Sequence, residues 1–517
     1  MAAIVTDQFR ILNAENFVNS VTDSSNSYYV FVGLSNPDVV GFGRTTDWDT
    51  NTPDPTDSFD YLKFTGDNMS FGKKVTSANI KRVVRRIDWV QGTKYEIYRH
   101  DYSYPNNTSP ITKSARLYDA NYYVMNSEYK VYICIDNGSS GINTSGNASL
   151  DEPTFTDLEP SKAGVSGDGY VWKYLYTVSP SDIVKFDSTE YISLPNDWAS
   201  SSNAQISAVR SNGDSTVNEN QIKKVYIENR GFGYVEGSFE VDILGDGTGG
   251  KVIVDVDSNG RITNTTVSSG GKGYTYGIVD LGSINTNASI DANLIPIIPP
   301  SNGHGYDIYK ELGADRVLVY ARFDDSTRDF PTDVTFSQIG IVKNPTEYTS
   351  NTIYAENQFS SLGAIKFDGT ITGSVSVGDK ISQSVTGGTA KGFVASYDEE
   401  TKVLKYLQDR SSYLNQNTFN NKDYSGVTIS AKVLDFESSS SPVTSNLGFS
   451  AGIHTSFTGI STNPTGTKLI SLGTQITQGL GDPEINKTSG DIIYIDNRPA
   501  IIRNSRQKED VKIILEF

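Results

Sequence analysis

Short runs of alternating apolar and polar residues, each stopped by glycine, asparagine or aspartate, recur throughout this 517-residue chain. This pattern constrains the fold most, because strand side chains point alternately to two faces and a period of two suits no helix. The clearest case is GDGYVWKYLYTV, Gly167 to Val178. Tyr170, Trp172, Tyr174 and Tyr176 fall on one side, and Val171, Lys173 and Leu175 on the other. One face is therefore almost wholly aromatic. Gly167 and Gly169 are expected to supply turn conformations that other residues resist. Asp168 is expected to bond the turn backbone rather than a ligand. The aromatic face points either into the core or across an interface, and both readings stand at this level.

Other segments read the same way. YYVFVGLS (Tyr28–Ser35), KYEIY, YYVM, KVYICI, Arg316–Phe323 and Ile339–Val342 are expected strands. Helical patterns are few. Thr6 can cap a first helix with Phe9, Leu12 and Phe17 near one face. A second helix is expected over Ser77–Arg86, with Ile80, Val83 and Val84 inward. Its Lys81, Arg82, Arg85 and Arg86 either bind phosphate or face solvent and acidic neighbours. The 46 glycines and 36% apolar content fit a turn-rich β protein with a lean core. The fold class expected is mainly β and multidomain. It consists of two-layered β-sheets or sandwiches with a few short helices and two inserted β modules.

The first module carries an internal repeat. QIKKVYIENRGFGY (Gln221–Tyr234) aligns with RITNTTVSSGGKGY (Arg261–Tyr274), each a strand followed by a Gly-x-Gly-Tyr turn. Composition shifts to Ser, Thr and Gly in the second, where Val377–Gln408 suggests a small barrel and Glu437–Ser445 a flexible loop. The expected organisation is a core part over 1–204, an inserted module over 205–298, and a middle core part over 299–355. A second module over 356–483 and C-terminal core strands over 484–517 complete it. Those last strands are expected to flank a turn at Asp496–Pro499, and the apolar VKIILEF end to be buried.

The net charge of −17 repels phosphate backbones, so nucleic acid is not expected as a partner. The single cysteine, Cys134, excludes an intrachain disulfide and reads as a core thiol. The N-terminus lacks a signal-peptide pattern, and no apolar run approaches a membrane span. N-x-S/T sites such as Asn106-Asn107-Thr108 then carry no glycosylation meaning.

Several motifs suggest chemistry and fall short of it. GDGTGGKV (Gly245–Val252) resembles a phosphate loop, but Val252 replaces the hydroxyl residue and a strand follows. DVDSNG (Asp255–Gly260) opens like a calcium loop, but Thr266 stands where a bidentate glutamate is needed. A hairpin turn fits both. GFSAG (Gly448–Gly452), with His454 nearby, lacks the helix a nucleophile elbow requires. Gly303-His304-Gly305-Tyr306 reads as a turn. His100, His304 and His454 show no ligand spacing. No catalytic, cofactor or metal residue is assigned, and no enzyme activity is expected.

Five stretches in order carry a resemblance: AIVTDQFR (Ala3–Arg10), PTDS (Pro55–Ser58), Arg85-Arg86-Ile87-Asp88-Trp89, GDGYVWKYLY, and SGDIIYIDNRPAIIR near the C-terminus. Together they resemble the gene-8-type baseplate wedge subunits of T-even-type contractile-tailed bacteriophages. The signature positions are Gly167, Asp168, Gly169, Tyr170, Trp172, Tyr494, Asn497, Arg498 and Pro499. The resemblance covers about residues 1–204, 299–355 and 484–517. It implies a non-enzymatic virion protein, assembled in the host cytoplasm, that dimerises and bridges neighbouring wedge subunits. It also implies a part in holding and releasing the tail's high-energy state. The two modules lie outside the resemblance. The alternative is a tail-associated glycan-binding module, suggested by tyrosines near the Gly-x-Gly-Tyr turns.

Overall fold

The computed structural model describes residues 5–34, 48, 50–102, 110–213, 221–285, 288–324, 335–408, 434–487, 489–502 and 508–517, with the side chains of Asp60 and Ile502 left aside. Ala3, Ile4, Ser35, Asn106, Asn107, Thr108 and Arg503 lie outside these. The chain is mainly β, with many sheets and a few short helices. It divides into two compact units. One comprises residues 1–18, 81–318 and 514–517, and the other 19–80 and 319–513.

The first unit is organised around a three-stranded antiparallel sheet of Tyr123–Met125, Lys130–Asn137 and Tyr170–Thr177. Tyr170, Trp172, Tyr174 and Tyr176 are each at most 1% exposed, so the aromatic face points into the core. Leu175 and Lys173 on the opposite side are buried too. The phenol tips find acceptors in place: Tyr176 donates to the Ser193 carbonyl at 3.0 Å, and Tyr174 meets Thr177 Oγ1 at 2.8 Å. Burying each ring contributes about 1.5–3 kcal/mol, and edge-to-face pairs such as Tyr95–Trp172 (5.8 Å) add about 0.5–1.5 kcal/mol. Cys134 is buried in the same core.

In the same unit, residues 221–298 build a four-stranded sheet in the order Ile262–Lys272, Thr248–Val256, Gly237–Gly245, Gly277–Val279. Val225–Asn229 pairs with Asn293–Pro296 beside it. The two repeats are realised as strands ending in left-handed glycines, Gly231 and Gly233 in one and Gly271 and Gly273 in the other. Tyr234 and Tyr274, which the sequence suggested as exposed, are buried in this module's own core. Their hydroxyls close the turns. Tyr234 accepts from Ala292 N at 2.9 Å; Tyr274 accepts from Gly250 N at 3.0 Å and donates to the Ile243 carbonyl at 2.9 Å. A phenol with both an apolar ring and a bonded tip is more stable inside than out. The module is pinned within its unit by Lys224, which is buried and donates to both oxygens of Asp136 at 2.7 and 2.9 Å. Arg99 also lies over the Tyr226 ring at 4.1 Å.

The second unit contains a five-stranded sheet in the order Gln358–Ser360, Met69–Val75, Tyr28–Gly33, Thr335–Lys343, Asp491–Ile502. Tyr29, Phe31, Met69, Val342, Tyr354 and Phe359 pack in its core. A further sheet runs Val403–Leu407, Gly388–Asp398, Lys380–Val385, Val443–Ser445, Ser450–Ile453, Gly363–Thr372, Leu480–Gly481. Gly363–Thr372 pairs with Val403–Leu407 as well, so the ring closes around Ile365, Phe367, Val394 and Phe449. Closure removes the edges that an open sheet would expose.

Four expectations change. Ser77–Arg86 is not a helix: a single 3-10 turn at Ser77–Asn79 leads into the strand Ile80–Arg85, paired Val83↔Ser193 and Val84↔Ile192. Its β-branched residues favour a strand, and pairing overrides the short helical period. The helix Asp7–Thr22 buries Ile11, Ala14, Val18 and Val21, while Phe9 and Leu12 are 53% and 49% exposed. Asp496–Pro499 is no turn between two strands but part of one strand, Asp491–Ile502, with a bulge opposite Phe336–Gln338. Proline donates no backbone hydrogen bond, and an edge strand with a bulge accommodates it. Glu437–Ser445 is held by the buried Gln383 amide, whose Nε2 donates to the Glu437 and Ser441 carbonyls at 2.8 and 3.0 Å. In the terminal strand Glu509–Glu516, Val511 and Ile513 are buried and Ile514 is not.

Trp172→Ala is expected to cost about 3–5 kcal/mol, read as a lower urea midpoint by tryptophan-independent circular dichroism. A loss below about 1 kcal/mol would show that the aromatic face does not organise the core.

Candidate functional site

The signature residues fall at two knots of hydrogen bonds, one largely buried and one half-exposed. In the first unit, Gly167 and Gly169 have φ of +72° and +88°, which only glycine adopts freely. A Cβ on Gly169 would stand 2.8 Å from the Gly138 Cα, so the two loop backbones touch there. Asp168 Oδ1 accepts from Tyr170 N at 2.9 Å and Oδ2 from Leu150 N at 2.8 Å. Its carbonyl accepts from Asn147 Nδ2 at 2.8 Å. The Asp168 carboxylate therefore spends both oxygens on backbone, with none facing a ligand.

Tyr95 joins this turn to the Arg85–Trp89 stretch. Its amide donates to Tyr170 OH at 2.8 Å, and its own hydroxyl donates to the Asp88 carbonyl at 3.1 Å. Tyr170 and Trp172 stack with centroids 5.2 Å apart. Trp89 Nε1 donates to Ser149 Oγ at 3.0 Å. The basic cluster is engaged by neighbours. Lys81 meets Asp182 at 3.4 Å, and Arg82 lies 3.1 Å from the Tyr309 ring centroid. Arg85 donates to the Tyr118 and Ala120 carbonyls at 3.1 and 3.0 Å. Arg86 bonds Asp88 at 2.9 and 3.0 Å and Asp187 at 2.9 Å. Burial works against the Arg86 charge, but the two carboxylates outweigh it and hold its pKa above the ordinary value.

In the second unit the knot centres on Asn497. Its Nδ2 donates to the Pro53 carbonyl at 2.8 Å and to Tyr61 OH at 2.5 Å, and its Oδ1 accepts from Gln338 Nε2 at 2.9 Å. Ser58 of the PTDS stretch caps the helix Phe59–Asn68, accepting from Tyr61 N at 3.3 Å. Asn497 of the C-terminal signature stretch thus bonds residues on either side of the PTDS stretch. Arg498 pairs with Asp496 at 2.6 Å, Pro499 is exposed, and Tyr494 sits opposite Ile341 in the sheet.

The chemistry-like motifs have other uses. Gly245–Val252 is a hairpin whose Asp246 carboxylate accepts from Thr275 N at 2.9 Å and Tyr276 N at 3.2 Å, and from the Thr275 hydroxyl. Those bonds hold the Asp246 pKa down to about 2. Asp257 turns the next hairpin, accepting from Asn259 and Arg261 amides at 3.0 and 2.9 Å and pairing with Arg230 at 2.8 Å. Ser450 begins a strand, not a strand-to-helix turn. His304 is buried, its Nδ1 2.6 Å from Glu311 Oε1, while Gly305 N donates to Glu311 Oε2 at 2.8 Å. This buried pair was not legible from the glycine-flanked turn. Lys173, the one polar residue on the second face of the aromatic strand, was the signal that a polar cluster lies beneath it. Among the described residues, no group of three His, Cys, Asp or Glu could hold a metal ion. None of their helices is long and apolar enough to cross a membrane.

Fold and knots together define a multi-sheet β protein whose most distinctive residues brace its backbone. An alignment of 217 residues, 37% of this chain, is 27% identical to the baseplate wedge protein gp8 of Enterobacteria phage T4. The match spans 60% of that relative's length, a distant relationship over part of each chain. No family model matches the chain.

Asp168→Ala leaves the Tyr170 and Leu150 amides without their acceptor, at about 1–3 kcal/mol for the buried Tyr170 donor. Faster hydrogen exchange at those two amides is the expected readout; unchanged exchange would mean that the turn holds without Asp168. For Asp246, the folded pKa of about 2 lies below the ordinary 3.8. Its contribution is therefore complete above 3.8 and lost as pH falls through about 2. The Thr275 amide resonance should titrate in that window, and a titration near 4 would contradict the bonding.

Proposed function

We propose that this chain is a structural subunit of a contractile-tail baseplate, resident in the virion. The observation that carries the reading is the similarity to baseplate wedge protein gp8. The bracing roles of the signature residues support it, since a part that transmits load needs fixed backbone rather than an open reactive site. The same reading extends to finer points. The chain acts as a homodimer, bridges neighbouring wedge proteins, assembles in the host cytoplasm, and takes part in the change that triggers contraction. It works without catalysis, cofactor or nucleic acid. Support for the glycan-binding alternative narrows to Tyr276, which is exposed near those turns, since Tyr234 and Tyr274 are buried.

Sedimentation of the purified chain should give a dimer, and mixing with the wedge proteins of the same virion should give stable complexes by native mass spectrometry. A monomer that enters neither wedge intermediates nor purified particles would overturn the proposal. Glycan arrays probed with the full chain should show no specific binding.

A further inference from the structure

The aromatic strand carries one residue that the core packing does not use. Lys173 is 3% exposed. Its Nζ donates to the Leu158 carbonyl at 2.6 Å and to Asn212 Oδ1 at 2.8 Å. Asn212 belongs to the helix Ala204–Gly213, and its Nδ2 donates to Glu159 Oε1 at 2.8 Å. Lys223 holds Glu159 from the other side at 3.5 Å. An amine, a primary amide and a carboxylate thus lie in one hydrogen-bonded row.

The row is held in place. Gly213, next to Asn212, has no space for a Cβ, which would stand 2.8 Å from the His304 carbonyl oxygen and 2.9 Å from Tyr306 N. The helix end is therefore fixed against the His304 turn. Burial pulls the Lys173 amine down to about 8, with Glu311 and Glu159 opposing. A minor share of the amine is then neutral at neutral pH, and a desolvated neutral amine is a nucleophile. Lys173, Glu159, Lys223 and His304 also border a cavity of about 10 Å³, room for no more than one water.

We propose that Lys173 and Asn212 join in an intramolecular isopeptide crosslink, with Glu159 moving the proton. The Nζ lone pair attacks Asn212 Cγ, forming the new C–N bond and placing the negative charge on Oδ1. Glu159 takes a proton from the now positive Nζ and delivers it to Nδ2. The carbonyl re-forms, the Cγ–Nδ2 bond breaks and ammonia leaves. Amine plus primary amide becomes secondary amide plus ammonia, with no oxidant, reductant or metal in the balance. Reacting groups held in contact react as though at an effective concentration of about 10⁵–10⁸ M. The bond ties the aromatic strand to the helix that precedes the module of residues 221–298. It stands or falls independently of the baseplate reading.

The test is mass spectrometry of the purified full-length chain. Under denaturing conditions the intact mass should fall one ammonia short of the sequence mass. A tryptic digest should contain a branched peptide joining the segments of Lys173 and Asn212, with no cleavage after Lys173. Lys173→Arg and Asn212→Ala should each restore the sequence mass. Glu159→Gln should slow crosslinking by about 10²–10⁴-fold, the usual contribution of a positioned proton-transfer group. Linear peptides containing Lys173 and Asn212 in full yield from the folded wild-type chain would overturn the proposal, whether or not any variant folds. Loss of ammonia without the branched peptide would overturn it too, since that reports a succinimide elsewhere.

Discussion

The burial of four aromatic side chains on one strand, with the three phenol tips bonded, is the interaction on which the first unit depends. Tyr170, Trp172, Tyr174 and Tyr176 present a continuous apolar face, and their hydration is the main thing lost when they enter the core. The Tyr170 hydroxyl enters with them because backbone groups meet it: Tyr170 OH accepts from Tyr95 N and donates to the Asn147 carbonyl at 2.9 Å. An unpaired phenol at that depth would offset much of the ring's gain. The loops around the sheet are therefore set by the tyrosines beneath them. Asn147, Asp168 and Gly138 occupy the positions that allow those hydroxyl bonds to form.

The second unit uses the same device with an amide. Asn497 bonds Pro53, Tyr61 and Gln338 and so locks the segment before the helix Phe59–Asn68 onto a bulged edge strand. In both units a signature residue serves as an internal strut. This is a coherent solution for a lean, turn-rich chain. With 36% apolar residues, side-chain-to-backbone bonds must fix the loops that a larger core would otherwise hold.

Much of the architecture was legible in the sequence. Alternation revealed the strands at Lys130–Asn137 and Tyr170–Thr177, and a continuous apolar run the strand at Tyr28–Gly33, which is buried on both faces. The Gly-x-Gly-Tyr repeats were legible as turns because left-handed backbone selects glycine. Errors arose where two periods competed. Ile80, Val83 and Val84 fit a helix as well as a strand over so short a run, and pairing with Tyr191–Ser193 decided it. Phe9 and Leu12 share one helix face, but the face that packs is that of Ile11, Ala14 and Val18. Hydropathy alone does not say which of two apolar stripes finds a neighbour. The charged partners Lys224–Asp136 and His304–Glu311 left no local mark, since each joins residues that only the fold brings together or buries; Lys173 marked its own cluster, but Asn212 as its partner was not legible.

By itself, the sequence determined that this protein is built of short strands and glycine turns, that its most aromatic strand has one uniform face, and that its phosphate- and calcium-like motifs lack the residues those chemistries need. These follow from side-chain alternation, steric limits on backbone angles and ligand chemistry, all local properties. Only the tertiary structure decided that the aromatic face turns inward, that Asp496–Pro499 bulges within a strand, that the second module closes into a ring, and that a buried lysine, an asparagine and a surface glutamate meet in one hydrogen-bonded row. Those outcomes depend on which distant surfaces exclude water together, and that is a property of the packed chain rather than of any segment.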